Sequence, residues 1–491
     1  MKTMLLAPRL LLATGALALT AALYGPAAAA CDPDYSGVTL TAGSQTGPFI
    51  ALALQMAAKT WEQKTCGKVN VVEFPFGELY PKYLTAMTAG ESTFDVITFA
   101  PAWMPDFSPY LSEMPDSVRQ GKDWEDIAPV YRDRLMVWDG KHLSQTIDGD
   151  LHTLSYRRDL FDDPKEKEAF KVKYGYDLAP PKTWKEYYDI AEFFTRPDQK
   201  LWGTAEAFRR GGQQFWFFFT HAASYTNDPK NPGSMFFDPE TMDAQVNNPG
   251  WARALEDYIK SVKFSPPGAL NFSSGDIRTA FSGGQVAMNF DWGDTGVIAA
   301  DKTQSKVAGH VGSALTPGST EIWNHKTKAW DKSDQPVFSP FMAYGGWQAA
   351  VPSAGKNVEA AWNYVEWVSN PENSGIATVT GGSGVNPYRV SHFAPDRWLA
   401  KMTKEEADEY LAAQRGSLEA KNVALDMRIP GYFSYTEVLE IELSKALAGE
   451  TTPQQALDTI AQEWNKLTDE FGRDTQLAAY RASMGLPPLK K

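Results

Sequence analysis

Short apolar runs alternate with helical patterns between residues 38 and 103. Val38–Thr41, Val69–Phe74 and Phe94–Phe99 have the length and composition of buried strands, whereas Pro48–Glu62 and Pro81–Ala89 carry apolar residues at helical spacing. Strand, helix and strand in this order predict parallel neighbours in one sheet. The pattern therefore predicts an α/β unit at the start of the chain.

Polar and aromatic residues follow each of these three strands. Ser44 and Gln45 follow the first strand, Phe76–Glu78 the second and Trp103 the third. Because ligands of open α/β sheets gather at the carboxyl ends of the strands, we predict that this edge of the sheet carries the binding site.

The most informative stretch of the chain covers residues 281–294. Gly283-Gly284 is expected to end a helix, since glycine supplies the left-handed conformation after the last turn. Val286–Phe290 is then long enough to form one buried strand of a parallel sheet.

Asp291, Trp292 and Asp294 follow this strand on a predicted turn. An indole face can stack on the C–H groups of a polyhydroxylated ligand while the carboxylates bind its hydroxyl groups. The alternative is a core tryptophan beside two surface acids. The stretch alone favours neither interpretation.

The pattern beyond residue 140 predicts a second unit. A polar passage over residues 140–150 leads into an extended run, and Thr183 followed by Glu186 marks a capped helix start. Residues 472–491 show little pattern and are predicted to be a C-terminal tail. The further predicted elements are an aromatic helix at Phe215–Phe219, a strand at Gly345–Val351, a helix at Glu359–Ser369, a hinge loop at Gly381–Pro387, and closing helices at Thr436–Ala448 and Pro453–Phe471.

The first thirty residues have the pattern of a secretory signal peptide. Lys2 and Arg9 give a positive start, Leu10–Leu23 has the length of a signal-peptide apolar region, and Ala28–Ala30 offers small residues for cleavage. That run is short for a transmembrane helix, and no later stretch approaches the roughly twenty apolar residues needed to span a membrane. We therefore expect a soluble, exported protein that begins near Cys31.

The chain has two cysteines, Cys31 and Cys66. Each precedes one of the first two predicted strands, so both thiols would lie at one edge of a parallel pair, where a disulfide suits an oxidising compartment. The alternative is a lipidated Cys31, since Ala28–Cys31 resembles a bacterial lipobox, although that motif usually carries leucine where Ala28 stands. We predict the disulfide.

Length and composition narrow the class of protein. About 460 residues remain after cleavage, more than a single core usually holds, so two domains are expected. The formal net charge of −13 argues against nucleic acid or an anionic membrane as a partner. Sixteen tryptophans, twenty tyrosines and twenty-six phenylalanines fit either an aromatic cleft that binds sugars or cations or the core of a large exported protein.

Sequence motifs for catalysis and metal binding are absent. Gly381–Val385 fails the last position of a Gly-x-Ser-x-Gly turn, and the six histidines lack metal-ligand spacing. With no phosphate loop, dinucleotide fingerprint or calcium loop either, we predict no metal, no cofactor and no enzymatic activity. An exported carbohydrate-active hydrolase is the alternative, because Asp150, Asp291 and Asp294 offer a candidate carboxylate pair.

The order of several loose motifs resembles the periplasmic solute-binding proteins of bacterial ABC importers, in particular the sugar-binding group that includes maltose-binding protein. The resemblance covers nearly all of residues 35–471, with an enlarged region at 301–340 and a tail after residue 471. The motifs are Tyr80–Gly90 before Phe94–Ile97, Leu154–Phe161 (Leu-x-Tyr-x-Lys-Asp-Leu in the family), Pro181–Tyr187 (Pro-x-Thr-Trp-x-Glu), Phe281–Trp292 (Phe-x-x-Gly-x-x-Ala-Met…Trp) and Ile429–Tyr435.

This resemblance implies an α/β fold of the two-lobe periplasmic-binding-protein class (type II), with a ligand cleft between lobes joined by a multi-strand hinge. The implied boundaries are a signal peptide at 1–30, a first lobe at 31–145 plus about 315–385, a second lobe at about 150–314 plus 386–471, and a tail at 472–491.

The resemblance also implies a site for a sugar, sugar derivative or polyol. Asp150 stands where the family has a ligand-contacting acid, and Trp216 and Trp292 stand where it has cleft aromatics. The predicted ligand-binding residues are Ser44, Gln45, Trp103, Asp150, Trp216, Trp292, Asp294, Trp347, Tyr432 and Tyr435.

The expected partners are the ligand and the permease subunits of an importer, and the expected form is a periplasmic monomer. Arg157, Arg158 and Arg389 leave an anionic solute as the alternative ligand.

Overall fold

The computed structural model describes residues 31–489, so the predicted signal peptide lies outside the described residues. The described chain alternates helices with short strands throughout. The strands are β1 Thr39–Gln45, β2 Lys68–Phe74, β3 Val96–Phe99, β4 Val137–Trp138, β5 Lys141–His142, β6 Gln145–Thr146, β7 His152–Arg157, β8 Met288–Trp292, β9 Val311–Ala314, β10 Ser319–Asn324, β11 Ala329–Val337, β12 Phe341–Met342, β13 Gln348–Ala350 and β14 Ala424–Leu425.

The helices fill the intervals between these strands and form the end of the chain. They are α1 Ala51–Thr65, α2 Phe76–Thr88, α3 Met104–Phe107, α4 Gly121–Glu125, α5 Arg158–Phe161, α6 Pro164–Tyr174, α7 Trp184–Phe194, α8 Gln214–Thr226, α9 Pro249–Ser261, α10 Ser274–Ser282, α11 Asp294–Ala300, α12 Val358–Ser369, α13 Pro371–Thr378, α14 Pro395–Leu399, α15 Lys404–Leu418, α16 Tyr432–Leu447, α17 Pro453–Glu470 and α18 Arg473–Ser483.

A five-stranded sheet in the order β2-β1-β3-β13-β6 forms the centre of the first lobe. The parallel pairing of β1 with β2 and β3 confirms the strand–helix–strand prediction. Trp61 of α1 packs between Tyr35 and Tyr364 of α12, with ring centroids 5.7 Å apart in both pairs. The first lobe is therefore built from two separate parts of the chain.

A three-stranded sheet in the order β8-β7-β9 and the helix α8 form the centre of the second lobe. Every residue of α8 is buried, including the predicted aromatic run Phe215–Phe219. Thr183 caps α7 by accepting a hydrogen bond from the backbone N–H of Glu186, as predicted.

The prediction for β8 is wrong in two respects. The strand covers Met288–Trp292 instead of residues 286–290, and it pairs antiparallel with β7. A strand that is buried on both faces has the same short apolar pattern whether its neighbour is parallel or antiparallel. The sequence therefore did not determine the direction of pairing. Gly284, with φ of 75°, supplies the left-handed turn after α10, whereas Gly283 remains helical.

The lobe boundary after residue 314 also differs from the expected one. The hairpin β10–β11 packs on α8 and α9 of the second lobe, where Trp330 contacts Tyr225 and Trp323. Strand β12 pairs with β14. The chain thus returns to the first lobe only near Ala343, because the apolar face of the hairpin is buried against second-lobe helices.

The expected tail contains an ordered helix, α18. The Tyr480 hydroxyl donates to the Gly233 carbonyl at 2.6 Å, and its ring packs on Phe237 in the second lobe. Arg134 of the first lobe donates to the Ser483 carbonyl at 3.0 Å. The C-terminal segment therefore contacts both lobes.

Three chain segments cross between the lobes side by side, around Asp148, Trp347 and Asn386. The Trp347 carbonyl accepts a hydrogen bond from the Ile147 N–H at 2.9 Å, and the Asn386 carbonyl accepts one from the Gly149 N–H at 3.2 Å. The loop predicted at 381–387 thus belongs to a multi-strand hinge.

Glycines make this close crossing possible. A Cβ atom on Gly149 would overlap the Pro387 carbonyl, and one on Gly346 would overlap the Asp148 carbonyl. Gly346 also has φ of 81°, a conformation that side chains disfavour. The hinge therefore requires glycine at both positions.

Arg428 fixes the segment before α16 against the first lobe. Its buried guanidinium donates to the carbonyls of Pro101, Arg134 and Val137 at 3.2, 2.8 and 2.8 Å. Burial lowers the pKa of Arg428 to about 9. The Gly431 N–H adds a hydrogen bond to Asp106 at 2.9 Å, which places the start of α16 beside the first lobe.

No helix within residues 31–489 has the length and apolar content that crossing a membrane requires.

A disulfide joins Cys31 to Cys66, with Cα atoms 5.7 Å apart, which confirms the predicted pairing. The bond closes a loop of sequence separation 35. Replacing both cysteines with serine should lower the free energy of unfolding by about 3–4 kcal/mol, the loop-entropy value for this length. Denaturant titration of the wild-type and double-serine proteins measures the difference. A wild-type protein whose stability does not respond to a reducing agent would contradict this account.

Candidate ligand-binding site

A cavity of about 250 Å³ lies between the lobes, beside the crossing segments. Gln45, Phe49 and Phe76 contribute the first-lobe wall, and residues of the loop before α8 and the start of α10 contribute the opposite wall. Of the predicted ligand-binding residues, the ones lining this cavity are Gln45, Asp150, Trp292, Asp294 and Trp347.

Arg278 of α10 is the central cation of the cavity. Its Nε lies 2.7 Å from Asp291 and its Nη1 lies 2.8 Å from Asp294. Burial opposes the charge, but the two carboxylates outweigh that effect and raise the pKa of Arg278. The guanidinium also lies 4.7 Å from the Phe49 ring centroid and 5.8 Å from that of Trp292.

Asp148 and Asp150 form a second acidic group on the hinge, joined by Asn386. The Asn386 backbone N–H donates to Asp148 at 2.6 Å, and its side-chain amide donates to Asp150 at 2.9 Å. Burial raises the pKa of Asp148 to about 6 and that of Asp294 to about 7. Burial and the neighbouring Asp148 raise the pKa of Asp150 well above its usual range. The cavity therefore presents carboxyl groups that hold protons close to neutral pH.

Trp292 is held rigidly at the end of β8. Its indole N–H donates to the Ala343 carbonyl at 3.0 Å, and its ring packs edge-on against His152, 4.6 Å away. Burial and the nearby Arg278 lower the pKa of His152 well below its usual value, so that ring is neutral. A fixed, buried indole suits stacking on a ligand because it loses little entropy on binding.

A second cavity of about 130 Å³ adjoins the first, and Trp103, Trp216 and Tyr432 line it. Asp426 accepts hydrogen bonds from the Trp216 indole and the Tyr432 hydroxyl, both at 2.8 Å. Burial raises the pKa of Asp426 to about 6. The residues that line both cavities are Phe76, Gly211 and Gln213.

Ser44 and Tyr435 line neither of these two cavities. Ser44 is buried within β1. Tyr435 lies in the core between α16 and α17, where its hydroxyl bonds Thr468 at 3.1 Å and its ring packs against Trp464. Gln45 and Tyr432 therefore line the cavities, whereas Ser44 and Tyr435 do not.

The cavities also contain side chains that were not among the predicted ligand-binding residues, among them Arg278, Phe76 and Tyr344. Phe76 comes shortly after the second strand, at the sheet edge where the sequence predicted the binding site. Arg278 offered a weaker signal, an arginine beside apolar Ile277 and Phe281 on a short helix. Tyr344 precedes the Gly345-Gly346 pair, at φ of 68°.

The arginines considered for an anionic ligand lie outside both cavities, and each is paired with an acid. The pairs are Arg157 with Asp159, Arg158 with Glu409, and Arg389 with Asp126. Asp291, considered for a hydrolytic pair, bonds Arg278 and Thr295. Arg157, Arg158, Arg389 and Asp291 line neither cavity.

The raised carboxyl pKa values predict a pH-dependent stability. Asp148 and Asp294 have pKa values of about 6 and 7 in the folded protein, against about 4 when unfolded, so the fold binds extra protons between pH 4 and 7. The free energy of unfolding should therefore fall as pH rises through this window. Asp294→Asn should make that decline shallower in denaturant titrations at pH 4.5, 6 and 7.5.

Asp116→Asn is the matched control, because the Asp116 side chain is 83% exposed. It should leave the wild-type pH slope unchanged. An Asp294→Asn protein with the same slope as the control would contradict the assignment.

The fold and the cavity define a class: a two-lobed α/β binding protein that encloses a small ligand between its lobes. The profile of one family, bacterial extracellular solute-binding protein, matches residues 46–374, well over half of the chain. The chain belongs to this family, which confirms the resemblance seen in the sequence.

Two relatives and one solved structure illustrate the similarity. A probable amino-acid ABC transporter periplasmic-binding protein of Sinorhizobium fredii is 24% identical over 90% of this chain and 92% of that protein. A mannitol-binding protein of Pseudomonas aeruginosa is 25% identical over 55% of this chain and 56% of that protein. An ABC transporter solute-binding protein of Agrobacterium radiobacter K84 in complex with ribitol has a TM-score of 0.72 and 23% identity, covering 88% of this chain and 100% of that one. The expected two-lobe α/β fold is confirmed.

Proposed function

We propose that this protein binds one molecule of a linear polyol or a single-unit sugar in the periplasm and delivers it to the permease of an ABC importer. The observation that carries the proposal is the meeting of Asp150, Asp294, Arg278 and Trp292 in one buried cavity. Hydroxyl groups can donate to the carboxylates and accept from the guanidinium, while the C–H face of the ligand meets the indole.

The size of the cavity supports a small ligand. Its volume of about 250 Å³ lies below the roughly 300–1,000 Å³ of pockets that bury drug-sized molecules. A pentitol, hexitol or monosaccharide suits such a space better than an oligosaccharide. The similar proteins named for mannitol and bound to ribitol agree with this choice.

An amino acid is the second candidate ligand, because the Sinorhizobium fredii relative is named as a probable amino-acid transporter binding protein. Its carboxylate would need a cation. Arg278 is already bound by Asp291 and Asp294, which leaves Arg209 on the second-lobe wall as the other arginine that lines the cavity. Asp150 and Asp294 have raised pKa values, and neither the protonated nor the ionised form of a carboxyl group supplies the positive charge that a ligand carboxylate needs. The electrostatics of the cavity therefore favour neutral hydroxyl groups.

Delivery follows from binding between the lobes. A ligand that contacts Gln45 of the first lobe and Asp294 of the second stabilises the closed arrangement, which gives a permease a surface to recognise. Cleavage near Ala30 would release the protein into the periplasm, and a disulfide occupies Cys31, which opposes lipidation there. We propose a monomer that releases its ligand unchanged, without catalysis or cofactor.

A thermal-shift screen of ribitol, D-mannitol, D-sorbitol, glucose, maltose and the common amino acids tests the ligand class. We expect a raised melting temperature with at least one pentitol, hexitol or monosaccharide. A response to amino acids alone would overturn the polyol proposal. Chromatography of the recovered ligand should show it unchanged; a cleaved product would favour the hydrolase.

Removing a cavity side chain should weaken binding without unfolding the protein. Asp150→Ala and Trp292→Ala should each raise the dissociation constant about 10–100-fold. The first variant loses a hydrogen bond to a charged group, which contributes about 1.5–3 kcal/mol, and the second loses the ring face that stacks on the ligand. Calorimetric titration with the best ligand from the screen measures this. Asp116→Ala and Trp367→Ala, outside the cavities, are the matched controls. Unchanged affinity in both cavity variants would place the site elsewhere.

A further inference from the structure

We infer that Phe76 is a specificity-determining residue, whose ring separates two adjoining cavities and limits the ligand to a single sugar or polyol unit. The inference rests on the proposed function and adds a reason for the size of the ligand. Phe76 lines both the polar cavity of about 250 Å³ and the aromatic cavity of about 130 Å³.

The position of Phe76 follows from the local sequence. Pro75 precedes it in an extended conformation, and Phe76 is the first residue of α2. This places the half-buried ring at the carboxyl end of β2, directed into the cleft. Gly211 and Gln213, on the loop before α8, line the same boundary from the second lobe.

Aromatic rings surround Phe76 on both sides of this boundary. Trp103 and Trp216 of the aromatic cavity lie 5.9 Å from its centroid. Tyr344 and Trp347 of the polar cavity lie 6.0 and 6.2 Å away. The phenyl ring therefore fills the space through which the two cavities would otherwise join.

The aromatic cavity has the composition of a site for a second sugar unit. Trp103, Trp216, Tyr432 and Phe433 offer ring faces, and Glu440 at its margin is a polar group whose pKa burial raises to about 7. A ligand with one unit in the polar cavity cannot extend into this space past Phe76. Without the phenyl ring, the two volumes would form one elongated site.

The experiment compares single-unit and two-unit ligands in wild-type protein and in Phe76→Ala. D-mannitol and ribitol represent one unit, and maltitol and maltose represent two, all titrated by calorimetry. We expect wild-type protein to bind the better single-unit ligand at least 100-fold more tightly than either two-unit ligand. In Phe76→Ala this ratio should fall at least tenfold.

Phe471→Ala is the matched control, because Phe471 lines neither cavity and is 41% exposed. It should keep the wild-type ratio within threefold. Phe76→Leu supplies a second variant if the alanine protein does not fold, and its ratio should move in the same direction. Melting temperatures establish folding for each.

The outcomes separate the two proposals. If no pentitol, hexitol or monosaccharide binds the wild-type protein, the proposed function fails and this inference fails with it. Wild-type protein that binds two-unit ligands as tightly as single-unit ones overturns the inference alone. Folded Phe76 variants with an unchanged ratio overturn it as well.

Discussion

The structure depends most on how Arg278 compensates the buried acids between the lobes. An unpaired carboxylate in such a site would cost several kcal/mol. Arg278 bonds Asp291 and Asp294 directly, whereas Asp150 has the Asn386 amide as its hydrogen-bond donor. One cation cannot neutralise all of the buried acids, and burial raises the pKa values of Asp148, Asp150 and Asp294. The resulting set of donors and acceptors is complementary to the hydroxyl groups of a neutral ligand.

The fold brings these groups together at the crossing of three segments. Asp148 and Asp150 arrive on the first crossing, Trp347 on the second and Asn386 on the third. Gly149 and Gly346 allow the backbones to pass in contact. Because these polar groups sit on the hinge itself, a ligand that binds them would contact the segments that join the two lobes. Arg428 and α18 add further contacts between the lobes.

The sequence predicted most local helices and strands, but it predicted only some of the contacts between residues that are distant in the sequence. Periodicity located β1, β2 and α1, and the family resemblance singled out Asp150 and Trp292. Alternation along a strand places neighbours on opposite faces, so Ser44 and Gln45 of β1 could not both line the cavity. Tyr435 lies one turn beyond Tyr432 on α16 and is buried in the core of the lobe. Motif similarity does not show which of the two side chains faces the cavity. The role of Arg278 depends on neighbours that are distant in the sequence, which no local pattern records, whereas the strand-end pattern did include Phe76.

The most direct test of the central claim is a crystal structure of the protein with its best polyol or monosaccharide bound. The account predicts one ligand between the lobes, with hydroxyl groups within hydrogen-bond distance of Asp150, Asp294 and Arg278 and its C–H face on Trp292. A ligand bound outside the polar cavity, or one that contacts neither Asp150 nor Asp294, would contradict it.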